Sequence, residues 1–83
     1  ARYWMTMAEK GNGAAQYNIG RMLYYGQGAR KDPIEAFKWF LLASENGIEQ
    51  GRIAALLLAD KMTREQVVEA TVRARDLRRK YAR

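Results

Sequence analysis

The chain has 83 residues, 15 basic against 9 acidic, and a net charge of +6, which makes it one small domain, too short for a deep closed core but long enough for stacked helices that bury neighbour against neighbour. Cysteine and histidine are both absent, which excludes disulfide frameworks, thiolate nucleophiles, thiolate or imidazole metal sites and imidazole acid–base chemistry. No apolar run approaches the ~20 residues of a membrane span. Residues 2–9 then place Tyr3, Trp4, Met7 and Ala8 along one side of a short helix that ends toward Lys10 and Gly11. After the Gly11-Asn12-Gly13 turn, a second helix from about Ala14 to Tyr25 carries Ala15, Ile19, Met22 and Leu23 on its inward stripe. Gly20 lies inside that helix, where glycine costs about 1 kcal/mol relative to alanine, and a close helix–helix approach accounts for it.

Gly26-Gln27-Gly28 closes the second helix and turns the chain. The next helix start is strongly marked, with Asp32 as cap, Pro33 at the first helical position and Glu35 at the third, the arrangement of a capping box. Ala36, Trp39, Phe40 and Ala43 repeat at helical spacing until Asn46-Gly47 and predict packing back onto the preceding helix.

A third pair follows with weaker punctuation. Gly51, Ala55 and Leu58 fall 36 residues after Ala15, Ile19 and Met22, but Leu56 stands where the packing glycine was and no Gly-x-Gly turn follows. Thr63 and Gln66 then form a second capping signature, opening a helix toward the C-terminus on which Val67, Ala70, Ala74, Leu77 and Tyr81 make one apolar stripe. The last twenty residues hold +4 of the net charge.

Trp4-x-x-x-Ala8 leading to Gly11 recurs as Trp39-x-x-x-Ala43 leading to Gly47, an internal repeat of about 36 residues, the length at which helix pairs recur in helical solenoids. Gly11-x-Gly13-x-Ala15-x-x-x-Ile19-Gly20-x-Met22, followed by Gly26-x-Gly28, Asp32, Ala36, Trp39, Ala43 and Gly47, resembles a Sel1-like repeat, a relative of the tetratricopeptide repeat. Leu23 stands where that family usually has tyrosine and Ala29 where valine is common, and the turn glycines are missing after Leu58. The resemblance implies an all-α, right-handed solenoid. Residues 1–10 would be the end of a preceding repeat, 11–47 one complete repeat, and 48–83 a degenerate C-terminal repeat with a capping helix. It also implies a scaffold or adaptor role, with no cofactor and no reaction to assign. Bacterial members often carry export signals, which favours the periplasm over the cytoplasm as the expected compartment.

The residues themselves offer a candidate surface. Tyr17, Arg21, Tyr24 and Tyr25 fall opposite Ala15, Ile19 and Met22, and the equivalent places 36 residues on are Ile53, Leu57, Asp60 and Lys61. Tyrosine and arginine are enriched in interface hot spots, so this face is expected to bind a partner protein or peptide. The alternative is that the tyrosines pack against the next repeat, with Arg21 stacked on a ring. Tyr3, Trp4 and Met7 form a second apolar face that would either self-associate or be covered by another segment.

Gly26 to Lys31 has glycines and basic residues ahead of a helix, but it lacks a preceding strand and the Gly-Lys-Ser/Thr ending of a phosphate loop. Asp32 and Glu35 are explained by the helix start, and Glu9, Glu45 and Glu49 by loop or helix-end positions, not by acid–base catalysis. The basic C-terminal helix could grip nucleic acid or an anionic membrane. Against this, Glu69 is placed to pair with Arg73 and Asp76 with Lys80, and there is no stacking platform for bases.

Overall fold

A computed structural model describes residues 2–81; Arg83, counted above in the basic C-terminus, lies outside them. The described residues form five helices, α1 (Arg2–Glu9), α2 (Gly13–Tyr25), α3 (Pro33–Glu45), α4 (Glu49–Ala59) and α5 (Arg64–Tyr81), and no strands. This is the all-α helical-repeat architecture expected from the sequence.

Side-chain and glycine chemistry sets the boundaries. Asn12 caps α2 by accepting from the Ala15 amide at 2.9 Å, and Gly26 ends it in the left-handed region at φ 75°, where a side chain would be strained. Asp32 caps α3 by accepting from the Glu35 amide at 3.1 Å. The second half of that expected capping box is not made, because the Glu35 carboxylate turns away to Lys38 and Arg73 while the Asp32 amide donates to Leu23 O. At α5 the box is reciprocal: the Gln66 amide donates to Thr63 Oγ1 at 3.1 Å and the Thr63 amide to Gln66 Oε1 at 2.9 Å.

α3 is the centre of the molecule, with α2, α4 and α5 all packed on it. Ala36, Trp39, Phe40 and Ala43 are buried as expected, and so are Phe37 and Leu42 on the flanks of that stripe. A helix covered by three neighbours needs more than one apolar face. The tightest approaches are glycine-dependent. A Cβ on Gly20 would lie 2.7 Å from two ring carbons of Phe40. On α4 this role belongs to Gly51, whose added Cβ would meet Phe40 O and Ala43 Cβ at 2.9 Å each. Leu56, the sequence counterpart of Gly20, is 60 % exposed and packs no such contact.

α5 joins both halves of the core, Ala70 beside Ala36, Phe37 and Phe40, and Ala74 beside Trp39 and Leu42. It runs in the same direction as α3, since Arg73 bonds Glu35 at 2.8 Å and Arg78 bonds Glu45 at 2.7 Å. Tyr81, expected in the apolar stripe, lies at the exposed end of the helix and donates its hydroxyl to Glu9 at 3.3 Å. Asp76 pairs with Arg75 and not with Lys80, whereas Glu69 pairs with Arg73 as expected.

Candidate functional site

α2 and α4 flank α3 and leave a groove of about 150 Å³ between them. From α2 it receives Tyr17, Arg21, Tyr24 and Tyr25, and from α4 Ala54, Leu57 and Leu58, with Phe40 of α3 beneath. Five of the six residues expected at a partner-binding face therefore line one depression. Ile53 does not. It is exposed on α4 one turn before Leu57, and Ala54, which has the same position one residue later, faces the groove in its place.

The tyrosines divide between packing and display. Tyr17 is half-buried with its ring centroid 5.8 Å from that of Phe40, a packing contact within its own helix pair and not against the next one. Tyr24 and Tyr25 meet edge to face at 4.9 Å, a favourable arrangement of ring quadrupoles, and Tyr25 is exposed. Leu57 is 64 % exposed, a large apolar side chain with no cover. Arg21 lies 5.9 Å from the Tyr17 centroid and 6.0 Å from that of Tyr25, within cation–π range of both. Lys61 donates to the Tyr24 hydroxyl at 3.2 Å and lies 5.9 Å from that ring. Arg21 also borders a second, more open depression with Trp4, Asn18, Met22 and Gln27. Tyr3 and Trp4 make a second exposed aromatic pair on α1, with ring centroids 6.4 Å apart, while Met7 packs into the core.

The helix-end carboxylates have structural partners. Glu35 bonds Lys38 and Arg73, Glu45 bonds Arg78, and Glu49 forms a close pair with Arg52. Burial raises the affinity of Glu35 for a proton, but the hydrogen bonds and charges of Lys38 and Arg73 outweigh it and hold its carboxyl below the ordinary range. Among the described residues no group of three or more histidine, cysteine, aspartate or glutamate side chains is placed to hold a metal ion, and no helix is long and apolar enough to cross a membrane.

A polar feature not anticipated from the sequence lies away from the groove, where α1, α2 and α3 meet. Gln16 is buried, donates from Nε2 to Ala8 O at 2.9 Å and accepts from Asn46 Nδ2 at 3.0 Å. Asn46 also donates to Leu42 O at 3.0 Å. One glutamine thereby joins the ends of α1 and α3 to the start of α2.

The Sel1 repeat family model matches residues 13–48, which span α2, α3 and the turn after them. The ERAD-associated E3 ubiquitin-protein ligase component HRD3A of Arabidopsis thaliana is similar, 46% identical over 41 residues that make up 48% of this chain. The chain spans 6% of that relative's length. The relative is a plant protein and lends no support to a bacterial origin. No solved structure matches the chain significantly. The repeat pattern, the helix pair and the family match coincide on the same segment, and residues 13–48 are a Sel1 repeat.

Proposed function

We propose that this chain is a protein–protein interaction module that holds a partner segment in the groove between α2 and α4. Sel1 repeats are interaction modules, and the single observation that carries the finer reading is the convergence of Tyr24, Tyr25, Arg21 and Leu57 on one groove. Aromatic and arginine side chains around an apolar floor are the composition of interface hot spots. In this reading residues 11–47 are one complete repeat, residues 1–10 the end of another, and residues 48–83 a degenerate terminal unit. Tyr3 and Trp4 give a second apolar surface for a further helix or a second copy.

The competing reading places function on α5, as a grip for nucleic acid or an anionic membrane. Its Arg73, Arg75 and Arg78 are engaged with carboxylates, which lowers the charge available to a polyanion.

Affinity capture comparing the unaltered chain with an Arg21→Ala, Tyr24→Ala, Leu57→Asp variant separates the two. A discrete protein retained by the former and lost by the latter, with helical circular dichroism unchanged, is the expected result. Recovery of nucleic acid or lipid that is indifferent to these substitutions and released by salt would transfer the function to α5.

A further inference from the structure

We propose that the occupant of the α2/α4 groove is an acidic peptide segment, one apolar side chain seated over Phe40 and Leu58 with carboxylates beside it engaging Arg21 and Lys61. This rests on the reading of the groove as the partner-binding surface and adds the chemistry of the partner.

The argument is one of unfulfilled charge. Ion pairing is concentrated on the side of α3 that faces α5, where Glu35, Glu45 and Glu69 all meet basic side chains. The groove side is different. α2 contains no acidic residue, no acidic side chain lines the groove, and among the described residues neither Arg21 nor Lys61 has a carboxylate within ion-pair distance. Both cations lie instead against tyrosine rings. Ring contact fixes the position of a charge without neutralising it, and Lys61 spends one of its three donors on the Tyr24 hydroxyl. A carboxylate arriving from a partner would supply the missing opposite charge, with the guanidinium offering two parallel donors.

Shape and total charge point the same way. A cavity of about 150 Å³ is of the size that takes a benzene-sized group, so one leucine or phenylalanine side chain fills it. The chain's net charge of +6 disfavours a second copy of itself at this surface and favours a negatively charged partner. A polynucleotide is the weaker fit, because two cations over an aliphatic floor do not form the continuous basic track that follows a phosphate backbone.

The test uses the full chain as bait for a library of random twelve-residue peptides, followed by fluorescence anisotropy of the enriched sequences. Enriched peptides should combine glutamate or aspartate with one large apolar residue. The variant Arg21→Gln, Lys61→Gln should weaken them at least about tenfold, and raised salt should weaken them in the unaltered chain. Neutral or basic sequences that are lost with Leu57→Asp but indifferent to Arg21→Gln, Lys61→Gln would overturn the acidic assignment and leave the groove reading standing. Peptides indifferent to all of these substitutions, or no enrichment at all, would overturn both. A single-stranded oligonucleotide binding more tightly than any peptide, with the same dependence on Arg21 and Lys61, would overturn the peptide class.

Discussion

Gly20 and Gly51 determine how closely α3 is approached from its two flanks, and they differ in what stands opposite. An alanine at Gly20 meets the ring of Phe40, a side chain that can turn by a small amount at the expense of its own packing. At Gly51 it meets backbone, Phe40 O at 2.9 Å and the Ser44 amide nitrogen at 3.1 Å, which can only be relieved by moving α4. Alanine gains about 1 kcal/mol of helix propensity at either position, and overpacking costs about 1–3 kcal/mol or more. We therefore expect Gly20→Ala to be mildly destabilising and Gly51→Ala clearly so, by about 2 kcal/mol in urea denaturation. A Gly51→Ala protein as stable as the unaltered one would mean that α4 does not press on α3 as described.

At the scale of the elements, the attachment of α5 to α3 depends on pH through Glu35. Its carboxyl binds a proton less readily in the folded chain than its ordinary value of 4.5, so the unfolded chain takes up more protons in acid. The stabilisation is complete above about pH 4.5 and is lost as the pH falls through the lower, folded value. Melting temperatures measured between neutral and strongly acidic pH should fall less steeply in Glu35→Gln, which has no proton to take up. Identical slopes would remove Glu35 from the linkage. The same carboxylate shows what was legible in the sequence and what was not. Asp32 and Pro33 announced the start of α3 because capping is local, a matter of three or four residues. Whether Glu35 turns back to the cap or outward to Arg73, 38 residues away, is decided by a neighbour that local spacing does not reveal. The four groove residues of α2 were legible because helical periodicity separates its outer face from its inner one, and transfer by repeat length holds for Leu57 in the groove and for Ala55 and Leu58 in the core. Ile53 stays outside the groove because α4 turns toward α2 the flank that bears Ala54 and Leu58, a choice of flank that one helix's periodicity does not reveal.

The described residues measure 31 × 26 × 21 Å, and in something this small each helix matters to the core. α5 supplies Ala70 to one apolar cluster and Ala74 to the other. Removing residues 63–83 would uncover the side of α3 bearing Phe37 and Trp39. The expected outcome is a broad, shallow thermal transition and binding of a hydrophobic dye, against a sharp transition for the full chain. A truncated chain that still melts sharply would show that α2, α3 and α4 form a self-sufficient core. The burial of α3 on three sides explains why a single-stripe reading of its sequence found four core residues and missed Phe37 and Leu42.

The Gln16 bridge gives the two flanks of α3 unequal tolerance for sliding. If α2 shifted along α3 by one residue, the Gln16 carbonyl would lose its bond from Asn46 and be left buried with that hydrogen bond unmade, at about 1–3 kcal/mol. The position 36 residues later is Arg52, exposed and paired with Glu49 on its own helix, so no side-chain bridge of that kind fixes α4. The first interface is thus keyed to a single phase by chemistry, and the second is held in phase by shape alone.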